Sequence, residues 1–302
     1  MSGLFVATGG LSPRGDINPG QDHPRPRKRA RQYLLSLMVT TKEFSMPLQA
    51  LYDQLLALRL PAFREALREQ QSNPKYAELS FEDRLALLVN HECAQRRENR
   101  IRRNIHAAAF PMQAALEDLD FSPARGLDRR TILELGLCNW ISSRHNILVL
   151  GPTGSGKTFI ACAFGTAAAR SGFTVRYHRI SRLLHALSQA RQVGAEPSRS
   201  DGSYTSLLRS LAKINLLILD DWLRDAITIQ NAQDILEVLD DRFGHTATLI
   251  ASQVPVSDWH LRIPDPTLAD AILDRLVHNA QRIQLEGESQ RKLRAERSMP
   301  NT

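Results

Sequence analysis

Gly151-Pro152-Thr153-Gly154-Ser155-Gly156-Lys157-Thr158, directly after the apolar run Ile147-Leu148-Val149-Leu150, decides how this chain folds. The spacing G-x-x-x-x-G-K-[ST] is that of a phosphate-binding loop set between a strand and a helix. Its glycines let successive backbone N–H groups turn inward around a polyphosphate, and the helix that follows presents its positive end to the same charge. Lys157 is placed to reach the β- and γ-phosphates of ATP, and Thr158 to put its hydroxyl on Mg²⁺. The whole segment from Gly151 through Pro152, Thr153, Gly154, Ser155, Gly156, Lys157 and Thr158 to Phe159 is the expected nucleotide cradle. Alanine-rich residues from Phe159 to Arg170 read as the helix that carries it.

A Gly-rich turn between a strand and a helix also arises by chance, so a second element matters. Leu216-Leu217-Ile218-Leu219-Asp220-Asp221 is an apolar strand ending in two carboxylates. Paired acids in that place serve as a helix N-cap in many proteins. Behind a phosphate-binding loop they read as a Walker B element, with Asp220 holding the Mg²⁺ shell and Asp221 orienting the attacking water. The two motifs in this order indicate nucleotide binding.

Composition bounds the rest. The 302 residues are 42% hydrophobic, enough for one large α/β domain and a smaller one. No run of eighteen apolar residues exists, and the N-terminus lacks the apolar segment of a signal peptide, so the expected compartment is the cytoplasm and no membrane is involved. Cys93, Cys138 and Cys162 are odd in number and widely spaced, which points to neither a disulfide framework nor zinc. The net charge is +7, yet residues 1–45 hold seven Lys/Arg against three Asp/Glu and so carry over half of it. That tail, containing Arg25-Pro26-Arg27-Lys28-Arg29-Ala30-Arg31, is too poor in packing residues to fold alone. It reads as a nucleic-acid-binding arm, as a disordered arm, or as sequence upstream of a true start at Met38 or Met46.

From Met46, Leu48, Leu51, Leu55 and Leu58 recur at helical spacing; Pro61 interrupts, and Phe63, Ala66 and Leu67 resume. Ser80 with Asp83 resembles a capping box opening a third helix to about Ile105. Arg96, Arg100 and Arg103 share one of its faces, while Glu92 and Glu98 are spaced to pair with Arg96 and Arg102. This face is either a solvated, salt-bridged surface or one that meets DNA or a partner. A helix over Thr131–Ser142 leads into strands expected at Asn146–Leu150, Thr174–His178, Leu216–Asp220, Thr248–Ser252 and Arg282–Leu285. The alternation predicts an α/β fold, a parallel sheet flanked by helices, preceded by a small all-α N-terminal domain. Expected boundaries are a tail at 1–45, helices at 46–118, the nucleotide-binding domain at 119–292 and a C-terminal tail at 293–302. Gly194–Ser203 reads as a mobile surface loop.

Further stretches carry a family resemblance: Ser252-Gln253-Val254-Pro255-Val256-Ser257-Asp258-Trp259-His260, then Asp270-Ala271-Ile272-Leu273-Asp274-Arg275-Leu276-Val277-His278-Asn279, then Gly287-Glu288-Ser289-Gln290-Arg291-Lys292. Together with the two phosphate motifs they resemble the IstB-like transposition helper ATPases, a branch of the P-loop AAA+ superfamily near the DnaC helicase loaders. The resemblance runs from about Met46 to Lys292. It implies that Gln253 stands at the sensor-I position, near the γ-phosphate or lytic water. It also implies that Arg275 is an arginine finger given to a neighbouring subunit's ATP; on the residues alone, Arg275 could equally pair with Asp274 or Asp270. The chain departs from the family pattern at Asp221, where the wider superfamily has Glu, at Leu223 in place of glycine, and at Gln290 in place of methionine.

The resemblance implies a slow, assembly-dependent ATPase that forms a homo-oligomeric ring or helical filament on duplex DNA and recruits or activates a partner transposase, with the helical N-terminal domain engaging that partner. A DnaC-like helicase loader, acting as an ATP-controlled protein-binding switch, is the alternative. A nucleotide-binding scaffold without hydrolysis is a third reading, against which Lys157, Thr158, Asp220 and Asp221 all stand.

Overall fold

A computed structural model describes residues 47–194 and 203–287 of the chain. The readings of the basic tail, of most of the Gly194–Ser203 loop, of Gln290 and of the C-terminal tail lie outside the described residues. The chain divides into two compact units, with the boundary between Ala77 and Glu78. This places the long third helix with the nucleotide-binding unit, whereas the sequence assigned it to a helical domain ending at 118.

In the first unit, α1 (Leu48–Ala57) and α2 (Pro61–Ser72) form an antiparallel pair around Tyr52, Leu55 and Ala62. Pro61 sits in the first turn of α2, where its missing N–H costs nothing. The Arg68 guanidinium lies 4.7 Å from the centre of the Tyr52 ring.

The second unit begins with α3 (Phe81–Ala108), which Ser80 caps: its Oγ accepts from the Asp83 N–H at 3.1 Å. Such a cap is worth about 1 kcal/mol. Both expected ion pairs form along α3, Arg96–Glu92 at 2.7 Å and Arg102–Glu98 at 3.0 Å. The helix runs three residues beyond the expected end, stopping where Ala109 turns left-handed at φ 56°. The single helix expected at Thr131–Ser142 is two, α4 (Arg129–Gly136) and α5 (Asn139–Ser142). Cys138, at φ 62°, breaks it, and the resulting bend buries Trp140 and Ile141 in the core.

The sheet follows: β1 (Asn146–Leu150), α6 (Lys157–Arg170), β2 (Val175–Arg179), α7 (Ile180–Gly194), α8 (Ser203–Ala212), β3 (Leu216–Asp220), α9 (Ile229–Asp240), β4 (Ala247–Ser252), α10 (Trp259–Arg262), α11 (Pro266–Val277) and β5 (Ala280–Gln284). Strand order is β2-β3-β4-β1-β5, every pair parallel. β1, β3 and β4 are buried along their whole length, as central strands covered on both faces must be. One core cluster holds Ile147, Val149, Phe164 and Ile218; the other holds Leu148, Leu217, Leu219 and Ile250. Alternate residues of a strand thus feed opposite layers. Gly165 lets α6 lie close on the sheet, since a Cβ there would stand 2.8 Å from Ile218 Cδ1.

Two buried polar side chains tie the layers together. Asn146 donates to the Arg275 carbonyl at 3.0 Å and accepts from the Thr248 N–H at 2.9 Å. Arg242 donates to the carbonyls of Leu211 at 2.6 Å and Ile214 at 2.9 Å, and also to that of Ala247. It thereby bonds carbonyls at the end of α8, in the turn that follows it and at the start of β4.

Candidate nucleotide site

The loop between β1 and α6 opens at the C-terminal ends of the strands, where open α/β sheets bind ligands. β1 lies between β4 and β5, with β3 on the far side of β4, so the loop stands beside the end of β4 and one strand away from that of β3. A cavity of about 390 Å³ there is lined by Thr153, Gly154, Gly156, Lys157, Thr158 and Phe159 from the loop, with Asp220, Asp221 and Gln253 from the neighbouring strand ends. Residues expected from stretches a hundred positions apart are brought together in it.

Asp220 is 2% exposed and closes the end of β3. Its Oδ2 accepts from Thr158 Oγ1 at 2.7 Å and from the Tyr177 hydroxyl at 2.7 Å, and its Oδ1 from the Asp221 N–H at 2.9 Å. Tyr177 had no motif to announce it. In register it faces Ile218, and from there its hydroxyl reaches two positions along to the carboxylate. Burial, with the hydrogen bond to Asp220, holds its phenol well above the usual range. Burial likewise pushes the nearby Cys162 thiol up to about 12, so it is an inert packing residue.

Asp221 has a left-handed backbone at φ 57°, and its carboxylate meets Arg224 at 3.5 Å and Arg179 at 3.9 Å. Neither arginine was singled out in the sequence. Lys157 Nζ donates to the carbonyls of Gly151 and Pro152, each at 2.8 Å, arching over its own loop. Thr153 Oγ1 hydrogen-bonds Gln253 Oε1, which joins the loop to the end of β4. A further residue without a sequence signal is Arg125, 6% exposed, whose guanidinium reaches the Ser155 carbonyl at 2.8 Å.

Arg275 stands elsewhere. It lines a recess with Val256, Asp270, Asp274 and His278, none of which borders the loop cavity. Its ion-pair partner is Asp240 of α9, rather than either acid expected from sequence. Asp270 faces His260 at 3.3 Å and Asp274 faces His278 at 3.1 Å.

The family model described as "IstB-like ATP binding protein" matches residues 53–298. The chain belongs to this family. An ATP-binding protein of an insertion sequence from Sinorhizobium fredii is 42% identical over 240 residues, covering 80% of this chain and 95% of that protein. The ATP-binding protein of insertion sequence IS1162 from Pseudomonas fluorescens is 43% identical over 213 residues, covering 70% of this chain and 89% of its own. Among solved structures, AMPPCP-bound DnaA from Aquifex aeolicus superposes with a TM-score of 0.49 at 16% identity, over 63% of this chain and 55% of that one. As an IstB-like protein the chain combines a phosphate-binding loop after a central strand with paired acids at the end of β3, in a parallel sheet flanked by helices. Among the described residues no helix is long and apolar enough to cross a membrane.

Proposed function

We propose that this IstB-like protein hydrolyses ATP to ADP and phosphate and, as a homo-oligomer on duplex DNA, recruits or activates a partner transposase. The observation that carries the ATPase part is the hydrogen bond from Thr158 to the buried carboxylate of Asp220 at the floor of the loop cavity. A hydroxyl beside a carboxylate is the oxygen donor set of a hard divalent cation. Thr158 and Asp220 would hold Mg²⁺ there, with its remaining ligands from phosphate and water. When bound there, Mg²⁺ supplies positive charge to the β- and γ-phosphate oxygens.

The chain's own residues would divide the remaining work. Lys157 exchanges loop carbonyls for phosphate oxygens; Asp221 orients water and receives its proton; Gln253, held by Thr153, contacts the γ-phosphate or that water. Arg275 is proposed to complete the site of a neighbouring copy, and its position outside its own loop cavity supports that assignment. Relatives named for insertion sequences support placing the ATPase in DNA transposition.

The test is ATP turnover by the purified protein with and without duplex DNA, reading particle size in the same samples. DNA-stimulated turnover together with large DNA-bound assemblies is the expected result. ATP binding with no response to DNA would overturn the transposition reading in favour of a helicase loader or a scaffold.

A further inference from the structure

Arg125 is a charged side chain buried beside the phosphate loop, donated by a short turn, Pro123–Arg125, some distance ahead in the chain. Its Nη2 donates to the Ser155 carbonyl at 2.8 Å and its Nη1 to the Asp120 carbonyl at 3.3 Å. Its own carbonyl accepts from the Glu286 N–H at 3.1 Å, which fixes the turn to the chain leaving β5. Arg125 also borders the loop cavity. Gly156 is open enough for this approach only because it has no side chain: a Cβ there would stand 2.8 Å from Arg125 Nη2.

The carbonyl of Ser155 and the N–H of Gly156 belong to one peptide unit, and in a planar trans peptide they point in opposite directions. Holding that carbonyl therefore aims the Gly156 N–H away from Arg125. Gly156, at φ 98°, is the residue on which the loop turns into α6. A glycine peptide at such a turn can flip at little steric cost, so something must choose its orientation.

We infer that Arg125 is a positioning residue for nucleotide binding: it locks the Ser155–Gly156 peptide so that the Gly156 N–H faces the polyphosphate. This rests on the nucleotide reading of the loop and adds to it a residue outside both phosphate motifs. The lock acts on binding and leaves the water-activating groups untouched, so it bears on affinity and KM, with kcat unchanged.

The experiment titrates a fluorescent ATP analogue into the full chain and into R125M, R125Q and R125K, alongside thermal unfolding without nucleotide and steady-state turnover. Losing a charge-assisted hydrogen bond that pre-orders a ligand group weakens affinity by about tenfold or more. R125M is expected to show this loss with kcat kept. R125K is expected to recover most of the affinity, and R125Q, which keeps a donor without the charge, part of it. Affinity of R125M within twofold of the parent overturns the inference. So does a defect that follows the fall in melting temperature across all three variants. If R125M does not fold, R125Q decides in its place: affinity within twofold of the parent overturns the inference, and so does a loss in R125K as large as that in R125Q. Absence of analogue binding by the parent chain would instead overturn the nucleotide reading, and the role of Arg125 with it.

Discussion

Leu223 carries a cost in its backbone: it has φ 47°, a left-handed conformation that a side chain makes unfavourable by about 1–2 kcal/mol. Its side chain is 1% exposed, packed in the core cluster that includes Trp222 and Trp259, and burying a leucine returns roughly 2–3 kcal/mol. Burial offsets strain, and the two can be separated. Leu223→Ala loses the buried side chain and keeps the strained Cβ, whereas Leu223→Gly loses both. Leu223→Gly is expected to be the more stable of the two by about 1 kcal/mol in chemical denaturation, against the usual order of alanine over glycine. Equal stabilities, or the usual order, would show that the turn relaxes around Leu223. At this scale the sequence disclosed what lies within a motif and concealed what meets it from afar. Lys157, Thr158, Asp220 and Asp221 were legible because fixed spacing places them. Tyr177 and Arg125 were not, because their contacts join residues 43 and 30 positions apart and neither sits in a pattern of its own.

Among the elements, β2 is an edge strand with a titratable interior. Burial and the neighbouring Arg176 lower the pKa of His178 from 6.5 to about 4. The folded state therefore keeps this imidazole neutral while the unfolded chain protonates near 6.5, so stability is full above about pH 6.5 and declines as pH falls towards 4. The loss amounts to a few kcal/mol at most. His178→Gln should flatten that part of the pH–stability curve, and a variant curve parallel to the parent's would remove His178 as its cause. The second element is α3. Arg96, Arg100 and Arg103 are exposed over about two turns of helix, roughly 10 Å, which spans about three phosphates of one DNA strand. If α3 meets duplex DNA, as the proposed function allows, replacing all three by Gln should reduce the slope of log affinity against log salt by about two to three. An unchanged slope would assign the basic face to solvent. Element types were legible, since period and apolar runs report burial directly. The end of α3 shifted by three residues at left-handed Ala109, and left-handed Cys138 split one expected helix in two, because nothing in a single alanine or cysteine signals positive φ.

For the molecule as a whole, the fold was legible because alternating strands and helices with two phosphate motifs admit few topologies, and the observed order β2-β3-β4-β1-β5 is one of them. The domain boundary was less so: the sequence could not show that α3 packs on α6 and β2. The separation of Arg275 from its own loop cavity yields the prediction that belongs to this scale. Arg275→Ala and Lys157→Ala proteins are each expected to hydrolyse ATP poorly. Mixed, they should regain turnover, because intact Arg275 from one variant serves an intact loop in the other. Failure to complement, with both variants folded and associating, would confine Arg275 to its ion pair with Asp240.

The rims of the sheet bear on how copies of the chain can crowd together. β2 ends one rim with Arg176 and Arg179, and β5 ends the other as Ala280-Gln281-Arg282-Ile283-Gln284, with Arg282 and both glutamines facing solvent. Two molecules meeting rim to rim would oppose like charges across short strands that offer little apolar surface to bury. Growth by strand addition, the route to amyloid, is therefore discouraged at both rims. Copies held at high local concentration are left to stack through helices and loops, and such contacts can be undone.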